Sequence, residues 1–238
     1  MRRGRDKAKL VAGRGKQPKP YHHGTLREAL IAATDAILDE RGIEGFTLRE
    51  AARRVGVSPA APVHHFGSAA GLLTEVAIRA YSELTRYLCD ARSGEDSDPA
   101  RRLHAQGLGY VRFALRYPGR FKLMFRRDLL LDDARLHEAA TAAYGELESS
   151  VRAYVGTKAK LPVDAIGQAT LLGAWSTVHG FAHLALEGRL DRVSGGLTAA
   201  VEQVLPVILA ELLPARRSRL PASEPRAKST PTASARSR

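Results

Sequence analysis

At 238 residues, 44% hydrophobic and 26% charged, the chain has enough apolar mass for a sizeable core in one large or two small domains. Cys89 is its single cysteine, which excludes an intramolecular disulfide framework and any zinc site made of several thiolates. The formal net charge of +12 lies wholly in the two ends, since residues 1–20 carry eight Lys/Arg against Asp6, residues 215–238 carry seven against Glu224, and the middle is close to neutral.

Both ends hold Gly, Pro, Ser and Thr but few large apolar residues, so burial cannot offset the entropy of ordering them. The composition predicts a disordered basic arm over 1–20 and a disordered basic tail over 214–238. Such arms contact polyanions, nucleic acid first among them, or simply keep a protein solvated. Residues 1–20 contain no apolar stretch of signal-peptide type, and the expected location is the cytoplasm.

Between the ends the apolar spacing is helical. Leu26, Leu30, Ala33, Ile37 and Leu38 predict a helix over 25–41 that stops at Gly42. Thr47 and Glu50 read as a capping box opening a short helix to about residue 54. After a break at Gly56-Val57, Ser58 is the expected cap of a second short helix, with Pro59 in its first turn. A long amphipathic helix over 69–92 carries Leu73, Val76, Ala80, Leu84, Tyr87 and Leu88 on one stripe. Further helices are expected over 99–117, 119–127, 133–155, 163–186 and 194–213, punctuated by Pro118, Pro162 and Ser194-Gly195-Gly196. No strand alternation appears, and the expected fold class is all-α. Residues 165–186 carry no formal charge, but their scattered polar residues favour a helix buried in protein, against a copy of itself, over a membrane span.

The unit from Thr47 to Phe66 has the size of a helix-turn-helix, whose second helix enters the major groove. Around it stand Tyr21-His22-His23-Gly24-Thr25-Leu26-Arg27, Gly45-Phe46-Thr47-Leu48-Arg49, Gly56-Val57-Ser58-Pro59-Ala60-Ala61-Pro62 and His65-Phe66. Over residues 21–84 this resembles the TetR family of bacterial transcriptional repressors. Downstream, Tyr110-Val111-Arg112-Phe113-Ala114-Leu115, Tyr117-Pro118, Phe121, Leu123-Met124-Phe125, Trp175 and Val178-His179-Gly180 are similar to the ligand-binding half of a subgroup named for its Trp, His and Gly motif.

The resemblance implies a DNA-binding head over 21–84 and a ligand-binding and dimerisation domain over 85–213. It implies a homodimer joined through the helices near 163–186 and 194–213, reading a palindromic operator in double-stranded DNA and released by a small molecule that displaces the helix over 69–92. Thr47 matches a phosphate-contacting cap and Arg49 a residue that reaches base edges, where an arginine fork discriminates by about 1–3 kcal/mol. Ser58, Pro59, Ala60 and Ala61 would open the recognition helix, with Ala60 or Ala61 against a thymine methyl; His64 would reach phosphate and His65 matches a family position. The expected pocket set is Phe113, Tyr117, Phe121, Met124, Phe125, Tyr144, Trp175 and His179. Trp175 and His179 share a face and would offer an indole N–H and an imidazole to a ligand, or else make a structural hydrogen bond to a neighbouring helix.

Three positions depart from the family pattern. Val63 stands where a tyrosine usually contacts phosphate, Ala69 stands where a lysine is usual, and Pro62 would clash with the Ser58 carbonyl in an ideal α-turn. A head without cationic excess should bind DNA weakly, and the recognition helix should be tightened or kinked. The rival reading is a helical small-molecule- or haem-binding protein whose head no longer reads DNA. No cofactor or metal site is expected: His179 and His183 have i, i+4 spacing but Gly180 stands where a zinc protease needs Glu, and Gly13-Arg14-Gly15-Lys16-Gln17 lacks the flanking residues of a phosphate loop. No Ser/His/Asp set or carboxylate pair suggests an enzyme.

An amino-terminal arm that lies along DNA would replace the missing phosphate contacts. If three of its cations do so, the log-affinity against log-salt slope of the full chain should exceed that of a chain beginning at Lys19 by about 0.9 per contact; equal slopes would remove the arm from the interface.

Overall fold

A computed structural model describes residues 23–94, 98–157, 162–191 and 195–215; the basic arm and residues 216–238 of the tail lie outside it. Among the described residues the regular structure is helical throughout, in the order α1 His23–Arg41, α2 Leu48–Val55, α3 Ala61–Phe66, α4 Ala69–Ser93, α5 Pro99–Arg116, α6 Pro118–Met124, α7 Ala134–Val155 and α8 Ala165–Leu186. Short 3₁₀ turns cover Ile43–Gly45 and Arg127–Leu129. The last helix, α9, is assembled from Leu197–Ala199, a π-helical Ala200–Val204 and Leu205–Leu212.

Side-chain caps fix where these helices begin. Ser68, Asp98, Asp133 and Asp164 each accept a backbone N–H from the first turn of α4, α5, α7 and α8. Pro99 and Pro118 occupy first positions, where a missing N–H costs nothing.

Three expectations change in detail. The expected helix over 194–213 runs unbroken from Leu197 to Leu212 but is not α-helical throughout: Pro206 has no N–H and its ring would meet the Glu202 carbonyl, and the ladder widens to a π register just before it. Ser58 does not cap α3, which starts at Ala61 with Ala60 as its N-cap and no side-chain cap. Pro62 is the cause: the Ser58 carbonyl, denied a bond from residue 62, accepts the Ala61 N–H at 3.0 Å in a tight turn. The α-helical register begins only with His64 N–H on the Ala60 carbonyl, 3.1 Å. Thr47 and Glu50 complete only half of a capping box. Thr47 Oγ1 accepts the Glu50 N–H at 3.1 Å, but the Glu50 carboxylate turns to Arg53 and Arg54, whose charge-assisted bonds are stronger than one to a backbone amide.

Two main cores form, and α4 runs through both. Leu72, Leu73, Val76 and Ala77 pack with Leu26, Leu30, Ile31, Ile37, Leu38 and Ala51 in the first. One turn on, Ala80, Leu84 and Leu88 pack with Tyr110, Val111, Phe113, Phe121, Phe181 and Leu205 in the second. Helix α6 also serves both, with Leu123 in the first and Phe121 and Met124 in the second.

Helix α6 meets α1 at van der Waals closeness. A Cβ on Gly119 would lie 2.6 Å from the Leu38 carbonyl carbon, so only glycine allows this approach. Arg120 then donates to Asp35 through Nε at 2.9 Å and Nη2 at 2.5 Å, both side chains being mostly buried. Burial pushes the Asp35 carboxyl up, with Arg120 opposing it. Glu75 of α4 is a second joint, held at 2.6 Å by Arg27 of α1 and at 2.6 Å by Arg135 of α7.

Replacing Arg120 by Met should strand the Asp35 carboxylate and cost about 1–3 kcal/mol in a denaturant titration. A loss below about 0.5 kcal/mol, the size of an exposed ion pair, would show that solvent screens the joint.

Candidate functional site

Helices α2 and α3 form the candidate nucleic-acid interface. Gly56 ends α2 in the left-handed conformation (φ 76°), and the Val57 N–H returns to the Ala52 carbonyl at 3.0 Å, so the chain reverses sharply into the turn before α3. Thr47, Arg49, Ser58, Pro59, Ala60 and His64 are exposed here; Ala61 and His65 are half-buried, with the His65 ring 6.3 Å from that of Phe66. Val63 is 48% exposed on the same surface, and Ala69 is exposed at the start of α4.

The electrostatics of this head single out one side chain. Arg27 pairs with Glu75 and lies over the Phe66 ring, Arg41 reaches Glu50 at 3.6 Å, Arg53 pairs with Glu50, and Arg54 binds Glu40 and Glu50. Hydrogen bonds from Arg53, then Arg54, hold the Glu50 carboxyl at about 2. Arg49 has no carboxylate partner among the described residues, and it is exposed in the first turn of α2, close to Thr47. A guanidinium not tied to a carboxylate has all five of its N–H donors available for base edges or phosphate.

The second domain holds a cavity of about 520 Å³, open at one side, between α4, α5, α6, α7, α8 and α9, a size suited to a drug-sized molecule. Of the expected set, Met124, Phe125, Tyr144 and Trp175 line it. Phe113 and Phe121 are fully buried core residues instead, and Tyr117 packs outside the cavity against Phe113, Tyr87 and Arg120.

His179 does not line the cavity either. Its Nδ1 shares a hydrogen bond with the Tyr110 hydroxyl at 2.8 Å, and its ring packs on Phe125, centroids 4.6 Å apart. Burial, then His183, pushes its pKa down, so it is a neutral imidazole at pH 7. Burial also pushes the Tyr110 phenol above its usual range, against an opposing hydrogen bond from Trp175. Of the two readings of the Trp175/His179 face, the structure has the imidazole making an interhelical hydrogen bond and the indole lining the cavity. The His179 and His183 rings meet edge to face with centroids 4.6 Å apart, and among the described residues no group of three His, Cys, Asp or Glu is placed to hold a metal ion.

Sequence reasoning missed much of the wall: Leu84, Leu88, Leu103, Val178 and Leu209, and with them Gln106. Gln106 is 2% exposed, and neither its Oε1 nor its Nε2 has a hydrogen-bond partner among the described residues. The signal was present as a glutamine beside Leu103, Gly107 and Tyr110 on the apolar side of α5.

On α8, Ala165, Ala169, Leu172, Gly173, Ser176, Gly180 and Leu184 are exposed and form an uncharged stripe. No described helix is long and apolar enough to cross a membrane.

Residues 30–76 match the family model for bacterial regulatory proteins of the tetR family, and residues 103–211 match that for tetracyclin repressor-like C-terminal domains. No curated protein matches the chain. Among solved structures, a protein of unknown function from Rhodococcus sp. RHA1 is 31% identical with a TM-score of 0.69, the match covering 82% of this chain and 97% of that one. The TetR family transcriptional regulator PfmR from Thermus thermophilus shares the fold at 20% identity and a TM-score of 0.59, over 80% of this chain and 97% of that one. A bacterial regulatory protein in the tetR family from Rhodococcus RHA1 does so at 15% identity and a TM-score of 0.60, over 81% and 98%. The two family models account for the head and the cavity-bearing half in turn, and the chain belongs to the TetR family of DNA-binding transcriptional regulators.

Proposed function

We propose that this chain is a non-enzymatic, ligand-responsive repressor that binds a palindromic operator as a homodimer and leaves it when a small molecule fills the cavity. The observation that carries this reading is the pairing of an exposed helix-turn-helix with a preformed apolar cavity, joined by two helices that belong to both. The head spans 21–84 and the effector and dimerisation half 85–213. Thr47 and His64 serve phosphate, Arg49 serves a base edge, and Ser58, Pro59, Ala60, Ala61 and His65 shape the recognition surface. Met124, Phe125, Tyr144 and Trp175 contact the effector.

Dimerisation through α8 and α9 is supported by exposed apolar residues: Leu172 at 55% and Leu184 at 47% on α8, Val207 at 59% and Leu212 at 56% on α9. Placing the chain in the Trp-His-Gly subgroup gives its three residues distinct roles. Trp175 lines the cavity, His179 ties α8 to α5, and Gly180 lies on the bare stripe where a second helix can approach closely.

An effector that shifts Met124 and Phe125 moves α6, which bears on α1 at Gly119 and Arg120, while α4 carries the head itself. By linkage, a ligand that weakens operator binding is itself bound more weakly by the operator complex, by the same factor.

The rival, a small-molecule-binding protein whose head reads no sequence, has an observation of its own: five of the head's arginines, Arg27, Arg41, Arg53, Arg54 and Arg79, are engaged by carboxylates, and Val63 offers phosphate no hydroxyl. A gel shift on the DNA upstream of the gene, at about 100 mM salt with polyanion competitor, separates the two. Retardation below about micromolar protein supports the repressor; its absence supports the rival.

Arg49→Ala should weaken the specific complex by roughly 5- to 150-fold, equivalent to about 1–3 kcal/mol, with unchanged melting temperature. Equal loss on random DNA would demote Arg49 to a phosphate contact. Leu172→Asp together with Val207→Asp should give a monomer by light scattering and abolish the specific complex; an unchanged dimer mass would move the interface elsewhere.

A further inference from the structure

The cavity wall is polar at its mouth and apolar inside. Arg127, His137, Thr141 and Tyr144 line it from exposed positions, whereas Leu84, Leu88, Leu103, Val178 and Leu209 line it from buried ones. The two other inner polar groups are already committed: the Tyr81 hydroxyl donates to the Met124 carbonyl at 3.1 Å, and the Tyr110 hydroxyl is bonded to His179. Gln106 is the exception among the residues lining the cavity's interior, a carboxamide only 2% exposed whose donor and acceptor both go unanswered. A buried amide left unpaired costs about 1–3 kcal/mol, whereas an apolar side chain of its shape there would cost nothing.

We infer that Gln106 is the polar recognition group of the effector site, and that the effector is an uncharged, mainly apolar molecule whose buried end carries a carbonyl acceptor beside an N–H donor, an amide or lactam in its simplest form. The pairing is reciprocal: Nε2 donates to the ligand carbonyl while Oε1 accepts from the ligand N–H. An ionised carboxylate does not suit this end, because it offers Oε1 no donor and meets no buried cation to offset its desolvation. An ester satisfies Nε2 and leaves Oε1 unpaired.

This inference rests on the cavity being the effector site, but its test needs no DNA. Trp175 is the only tryptophan of the chain and lines the cavity, so its fluorescence reports occupancy directly. The full chain is titrated with decanamide, methyl decanoate and decanoate. Decanamide is expected to bind at least ~10-fold more tightly than the ester, and the carboxylate more weakly than the amide. Gln106→Leu should remove the preference for the amide, retain the ester within about threefold, and melt no lower than the parent in the absence of ligand. Gln106→Met, with closely similar volume, should repeat the result and covers the case in which the leucine variant fails to fold. Equal affinity for amide and ester, no Trp175 response to decanamide, or a preference that survives both substitutions would overturn the assignment; tightest binding of decanoate would transfer recognition to Arg127. A failed gel shift would sink the repressor reading and leave this result standing.

Discussion

Helix α4 has to complete two cores at once. Its first turns supply Leu72, Leu73, Val76 and Ala77 to the DNA-binding head, and the next supply Ala80, Leu84 and Leu88 to the domain that encloses the cavity. Neither core closes without it, and the head borrows further from beyond its own sequence, taking Leu123 from α6 and Leu136 from α7. A small three-helix unit buries little surface alone, so the second domain contributes to the stability of the surface that reads DNA. The same sharing puts the head and the cavity wall on one helix: Leu84 and Leu88 line the cavity on the helix that, three turns earlier, packs against α1. Close-packed protein cores respond to a displaced side chain by moving whole elements.

The head spends its charge on its own architecture. Arg53 and Arg54 hold Glu50 within α2, while Arg54 also spans to Glu40 of α1 and Arg27 joins Glu75 of α4 and Phe66 of α3, so the last two cations tie helix to helix. Arg49 alone of the head's arginines has no carboxylate partner among the described residues. A head with six Arg against eight Asp/Glu over residues 21–84 gains little from nonspecific attraction, and the positive excess of the sequence lies in its two ends.

Most helices were legible because their signals are local. Leu26, Leu30, Ile37 and Leu38 state a helical period, and Asp98-Pro99 states a start; both need only neighbouring residues. The interruption at Pro206 was equally local and still escaped, since a proline can end, kink or widen a helix and only packing decides which. The cavity was half legible. Aromatic residues of α5, α6 and α8 look alike in sequence, yet Phe113 and Phe121 face the core while Phe125 and Trp175 face the void. The sorting depends on helix rotation about partners far away in the chain. His179 is bonded to a tyrosine 69 positions earlier, a relation that spacing does not encode. Gln106 was overlooked for the opposite reason: a lone glutamine reads as solvent-facing until the structure shows what surrounds it.

Native-state hydrogen exchange tests most directly whether head and cavity domain form one mechanical unit. If α4 and α6 bind the two cores together, the slowest amides of α1, around Leu30 and Ile31, and those of α5, around Val111 and Phe113, will open with one free energy and one denaturant dependence. If the α1 amides exchange through a separate, lower-energy opening while α5 stays protected, the head is an independent module and the coupling described above does not exist.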